Sequence, residues 1–229
     1  MKAKSVNCPP GKVVIGGGGA VIGGFGNVAL NWLTPVKGTN SFEARATRAT
    51  PNWGGSWQLS VYAICSNPIP GLEFVSVTTA GDVTASCPSD KKVIGTGGRV
   101  NGGPVTGEVV LEDVRPADDL GGVLVRAAAD PVSVVTWNVT AIAICVPPIA
   151  GQQLVKSPAG NPSAVVSCPV GTKVHSTAAK LNTGWHGHIV LNDLIPNVGL
   201  TSVSASAFGD VHNPPPASWS INSYAICVT

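Results

Sequence analysis

Few residues in this chain could do chemistry. A His-Gly-His triplet (His186, Gly187, His188) sets two imidazoles two residues apart, which in a strand puts both on one face, a spacing a metal could use. Asp193 and His212 are the further ligands within reach in the chain, but no fixed spacing links them to the pair. Solvated histidines at a strand start are the default, and neither a metal nor any other cofactor is expected. Glycoside hydrolysis needs two carboxyl groups facing each other about 5 to 9.5 Å apart. Glu112 and Asp113 are adjacent, so in a strand they point to opposite faces. Asp118 and Asp119 fall in "PADDLGG", where a turn is the ordinary reading. No G-x-S-x-G surrounds a serine. The glycine run "IGGGGAV" lacks the Lys-Ser/Thr that completes a phosphate loop. The expectation is a protein that is not an enzyme.

The elements that would hold these residues are written three times. "WQLSVYAIC" (Trp57 to Cys65) returns as "WNVTAIAIC" (Trp137 to Cys145) and "WSINSYAIC" (Trp219 to Cys227). A Cys-Pro phrase opens each copy: "CPPGKVVIGGGGAV" from Cys8, "CPSDKKVIGTGGRV" from Cys87 and "CPVGTKVHSTAAKL" from Cys168. Between them lie "GNVALNWLTP" (Gly26), "GEVVLEDVRP" (Gly107) and "GHIVLNDLIP" (Gly187), then "FEARAT" (Phe42), "VRAAAD" (Val125) and "VSASAF" (Val203). The period is about 80 residues, giving repeats over 1–79, 80–158 and 159–229. Alternation at i and i+2 and Pro at the phrase ends mark these as strands, four per repeat with a fifth in each connector. Trp, Ala and Cys of the closing phrase face inward, and Ala29, Val110 and Val190 face away from the core.

The composition agrees with an all-β protein: 44% hydrophobic, 11% charged, with 28 Gly and 19 Pro among 229 residues. A net charge of +2 with scattered Lys and Arg gives no field for nucleic acid, and no apolar run is long enough for a membrane helix. The six cysteines recur at intervals of 57, 58 and 59 residues, which suggests one bridge per repeat: Cys8–Cys65, Cys87–Cys145 and Cys168–Cys227. Such bridges belong to an oxidising compartment, so a secreted, extracellular chain is expected, with Met1 as an added start codon.

The combination of C-P-x-G, a Gly-rich strand, a Trp and a closing Y-A-I-C resembles a repeat domain of secreted bacterial, actinobacterial-type proteins of unassigned activity. More loosely, the C-P-x-G opening and the "VLND" strand are similar to the vitelline membrane outer layer protein family, which implies a disulfide-bonded β-prism. Three units that each expose an apolar sheet face would also bury it around a pseudo-threefold axis. The expected fold is therefore an all-β, pseudo-threefold, β-prism-like array of three four- to five-stranded sheets in one compact domain, with three separate sandwich domains as the alternative.

Positions alike in all three repeats serve the fold; positions that differ are free to bind. Trp32 stands where the sister repeats have Asp113 and Asp193, Trp53 lies in "PNWGGSW", and Trp185 lies in "NTGWHGH". A Trp among loop amides offers an apolar face to a sugar ring, with hydrogen-bonding groups beside it. Trp32, Trp53, Trp185, His186, His188 and Asp193 are the candidate ligand-binding residues. They fit a non-catalytic, lectin-like protein that contacts carbohydrate or a cell-surface polymer. A coat, fibre or appendage subunit that self-assembles is the alternative, and a glycoside hydrolase the weaker one.

Overall fold

A computed structural model describes residues 1–50, 52–102, 108–129, 135–215 and 217–229. Gly107 and Asp130, at the ends of two repeated phrases, lie outside the described residues. The first repeat forms β1 (Lys2–Asn7), β2 (Val13–Ile22), β3 (Val28–Val36), β4 (Ser41–Arg48) and β5 (Gln58–Ser66). With each connector counted to the repeat it leads into, which moves the boundaries a few residues back from 79 and 158, the second forms β6 (Glu73–Thr79), β7 (Val83–Ser86), β8 (Lys92–Gly102), β9 (Val109–Pro116), β10 (Gly122–Ala129) and β11 (Trp137–Val146). The third forms β12 (Gln153–Lys156), β13 (Ser163–Ser167), β14 (Lys173–Asn182), β15 (Ile189–Pro196), β16 (Ser202–Gly209) and β17 (Ser220–Val228). Each connector breaks into two short strands instead of the single one expected, with Gly81 at a positive φ between β6 and β7.

The strands build three antiparallel sheets, ordered β1-β4-β3-β8-β11-β6, β12-β17-β14-β9-β10-β7 and β13-β16-β15-β2-β5. The sheets therefore hold six, six and five strands, larger than the four to five expected. No sheet belongs to one repeat. In each, three strands of one repeat pair edge to edge with strands of another: the first with the second, the second with the third, the third with the first. A repeat thus splits into two half-sheets, which face each other as a small sandwich.

The core lies inside these sandwiches. Val93, Leu111, Val125, Val139 and Ala143 of the second repeat form one cluster, and the first and third repeats share another around Leu30, Phe42, Leu59, Val203 and Ile221. Between repeats the contacts are closer and more polar. The Gly-rich strands β2, β8 and β14 pack on one another. A Cβ on Gly95 would sit 2.0 Å from the Ile15 carbonyl oxygen, so only glycine allows that approach. Beside it the Thr96 amide donates to Ser176 Oγ at 3.0 Å, and Thr96 Oγ1 donates to the Thr177 carbonyl at 2.7 Å. The Thr177 hydroxyl donates to the Gly17 carbonyl, which completes a buried polar knot shared by all three repeats.

Two expectations change. Ala29, Val110 and Val190 do not reach the surface; they are at most 1% exposed and pack together from the three repeats in a cluster of their own. The outward faces of β3, β9 and β15 meet each other, because these strands converge where three sheets join. The equivalence of "VRAAAD" with "FEARAT" is also displaced by two residues. Pro35 pairs with Phe42, Pro196 with Val203 and Pro116 with Val123, so Val123, not Val125, is the sister of Phe42. A slip of two keeps every side chain on its face, which is why the pattern alone does not reveal it.

The three bridges pair as the spacing suggests, Cys8–Cys65, Cys87–Cys145 and Cys168–Cys227. Each ties the turn before a Gly-rich strand to the end of the closing strand beside it. The Cys-Pro turns repeat the same bond: Lys12, Lys91 and Thr172 amides donate to the carbonyls of Pro9, Pro88 and Pro169 at 2.9 to 3.0 Å. The closing strands β11 and β17 are buried on both faces, whereas β5 is half-buried along Val61, Ala63 and Cys65. Ile64, Ile144 and Ile226, outward by alternation, are at most 2% exposed, and Ile226 packs into the core of the second repeat.

Candidate functional site

One residue in each of β3, β9 and β15 is squeezed out of the ladder as a bulge: Asn31, Glu112 and Asn192. A bulge re-aims side chains, and here it sets the residue that follows at the seam between two repeats. Across that seam Trp32 pairs with Arg99, Asp113 with Lys180 and Asp193 with Ala20. Trp32 is covered: the guanidinium of Arg45 lies 4.0 Å and that of Arg99 4.5 Å from its ring centre. Burial and the neighbouring Arg45 pull the Arg99 pKa down from its ordinary value. Asp193 accepts from Ser206 Oγ at 2.6 Å and from the Val21 amide at 3.2 Å. The Trp32 ring and the Asp193 carboxylate are thus both engaged within the seam.

Asp113 is the third member of the set and the most perturbed. It is 2% exposed, and burial pushes its pKa up to about 6 against the opposing pull of Arg115, whose Nε lies 3.1 Å away. Its Oδ1 has no hydrogen-bond partner. Glu112, one residue earlier, turns to different partners altogether, so the two carboxyl groups do not meet over a common cleft. Asp119 Oδ1 accepts from the Gly121 amide at 2.8 Å, an ordinary turn contact.

Trp53 follows β4 in the loop to β5. Its ring lies over Gly55 and packs against the core of the first repeat, half-buried.

The remaining candidates come together at the β14–β15 turn. Trp185, His186 and His188 precede β15 and do not lie along a strand face, because Gly187 takes a φ of +83° and turns the chain. The turn is held from below by Glu112 of the second repeat, which is only 6% exposed. One oxygen accepts from the Gly187 amide at 3.0 Å, and the other lies 2.7 Å from His186 Nδ1. The Trp185 amide donates to Thr183 Oγ1 at 2.9 Å, and the His188 amide donates to the Trp185 carbonyl at 3.3 Å. The Trp185 ring, 41% exposed, stands edge-on to His188 at 6.4 Å. His188 Nδ1 lies 3.1 Å from the Asn213 carbonyl, so the two imidazoles serve different partners. Among the described residues no three His, Cys, Asp or Glu side chains gather as a metal would need.

The ridge continues through residues absent from the sequence-based set. The Asp210 amide donates to the His188 carbonyl at 2.8 Å, and the Val211 amide donates to the Gly26 carbonyl at 3.3 Å. Beside Gly26, Phe25 is 68% exposed and meets Phe208 edge to face at 6.1 Å. A signal for Phe25 existed: it occupies, in "GGFGN", the place that His186 holds in "GWHGH". The site thus holds two exposed rings, Trp185 beside His188 and Phe25 beside the half-buried Phe208, on turns that Asp210 and Val211 bridge by backbone hydrogen bonds. The chain matches no protein-family model, and comparison with curated proteins returns no match.

Proposed function

We propose that the chain is a secreted, non-catalytic, lectin-like binding protein that contacts carbohydrate or a cell-surface polymer through the Trp185 turn. The observation that carries this reading is a buried carboxylate, Glu112, that holds His186 and the Gly187 amide of the turn on which the exposed Trp185 stands. Glu112 stands where the sister bulges have Asn31 and Asn192, so only this copy gains a carboxylate able to grip a turn from beneath. A ring held in place before the ligand arrives loses little conformational freedom on binding. An apolar ring flanked by Thr183, His186 and His188 suits a sugar, whose C–H face stacks while its hydroxyls meet polar groups.

The separate engagements of Glu112 and Asp113 support the absence of a glycosidase pair. Three bridges support an oxidising, extracellular setting. The cyclic exchange of strands among repeats supports a pseudo-threefold, prism-like array with the composite sheets as walls. An assembly role has one observation in its favour, the outer edge of β5, unpaired among the described residues, since Ala29, Val110 and Val190 are buried.

A glycan and cell-wall-polymer array, run with the native chain and with Trp185→Ala, tests the reading. The expected result is binding to at least one glycan, weakened about tenfold in the variant at unchanged circular dichroism. Silence of the native chain on every glycan and polymer overturns it.

A further inference from the structure

The three closing strands are alike in sequence but not in company. β11 carries β6 on its outer edge and β17 carries β12, whereas the sheet that contains β5 ends on β5 itself. The burial follows the pairing. Ala141, Ala143 and Cys145 of β11, and Ser223, Ala225 and Cys227 of β17, are all 0% exposed, while their sisters Val61, Ala63 and Cys65 are half-buried. At the start of β5 lies a groove of about 300 Å³ lined by Lys2, Ala3, Lys4, Gln58 and Leu59. An edge strand turns a row of backbone N–H and C=O groups outward and templates the addition of another strand.

We propose that β5 takes up an extended segment of a partner protein as an antiparallel sixth strand, with a carboxylate opposite Cys65 and apolar side chains opposite Ala63 and Val61. The sister edge shows what fits. On β11, Glu73 stands opposite Cys145, Val75 opposite Ala143 and Val77 opposite Ala141. Glu73 Oε2 lies 2.7 Å from Lys91 Nζ. The sister of Lys91 is Lys12, the fourth residue after the opening Cys in each case, and among the described residues its ammonium meets a neutral acceptor and no carboxylate, Asn67 Oδ1 at 2.7 Å. In the third repeat the same place holds Thr172, and the strand on β17 there presents Gln153 opposite Cys227. Lysine goes with glutamate and threonine with glutamine. Lys4 in the groove adds to the demand for an acidic segment, beside Lys2, whose ammonium donates to the Trp57 carbonyl.

The probe is a synthetic peptide of the Gly71-to-Thr79 sequence, GLEFVSVTT, titrated into the intact protein by calorimetry, with hydrogen exchange read residue by residue. The expected result is saturable one-to-one binding that slows exchange of the β5 amides. Lys12→Glu weakens binding about threefold, as for an exposed ion pair, and a peptide with Lys in place of its Glu restores it on that variant. No saturation at millimolar peptide overturns the proposal, as does protection of amides away from β5. A dimer in sedimentation whose β5 amides are protected without peptide also overturns it, and assigns the edge to a second copy instead.

Discussion

Asp113 shows what a single position does when the repeat around it is kept and its chemistry is changed. Its sisters Trp32 and Asp193 are a covered ring and a carboxylate with two donors. Asp113 is desolvated with one oxygen unpartnered, so its proton is held more tightly in the fold, at about 6, than in the unfolded chain, at 3.8. A raised carboxyl pKa favours the fold fully below the unfolded value, and that advantage disappears as pH rises through 6. A difference of about two pKa units is worth roughly 3 kcal/mol. Urea denaturation midpoints of the native chain and of Asp113→Asn, compared from pH 4 to pH 8, check this. The variant is expected to lose less stability across that interval, and parallel profiles would sink the assignment. His175, the bulged sister of Ile15 and Ile94, leans the other way, since burial lowers its pKa and protonation below about 6.5 opposes the fold.

At the scale of the element, the Gly-rich strand and its bulge are what let three repeats approach. β2, β8 and β14 each kink at one residue, at Ile15, Ile94 and His175, and the next position faces a neighbouring repeat's backbone. Two of those positions are Gly16 and Gly95, and the third is Ser176, whose hydroxyl accepts the Thr96 amide. A methyl group on Gly95 would overlap the Ile15 carbonyl oxygen, which is backbone of the neighbouring repeat's Gly-rich strand. Gly95→Ala is expected to lower stability by about 3 kcal/mol, while Gly54→Ala, with nothing within 4 Å, changes it by less than about 0.5 kcal/mol. Thermal unfolding of both variants decides the matter; equal midpoints would show that the strands are not in contact there. A glycine-rich phrase is visible in the sequence, but not which carbonyl each glycine must clear.

For the molecule as a whole, covalent and hydrogen-bonded connections run in different directions. Each disulfide closes a chain segment within one repeat, with separations of 57, 58 and 59 residues. Each sheet joins two repeats. Removing one bridge therefore loosens one sandwich while leaving its seams paired. The double variant Cys87→Ser and Cys145→Ser is expected to lose about 4 kcal/mol by the chain-entropy argument. Native-state hydrogen exchange should rise first in β6 to β11, and uniform acceleration over all three repeats would contradict the sandwich-by-sandwich arrangement.

The amino-acid sequence by itself settled the all-β class, the three-part repeat, the inward Trp-Ala-Cys face and the bridge pairing. All of these are local or periodic: alternation reports a face, and a covalent partner recurs at the repeat interval. It also separated the shared positions from the divergent ones, which is how Trp185 became a candidate, while His186 and His188 became candidates by their spacing. The tertiary structure decided which repeat each half-sheet joins, because a strand's own pattern is the same whoever lies beside it. It decided that Ala29, Val110 and Val190 meet one another, since burial on a second face depends on a neighbour that alternation does not encode. Glu112 beneath the Trp185 turn was hidden for the same reason. Only a bulge in one repeat and a turn in the next bring a carboxylate and an amide 75 residues apart into contact.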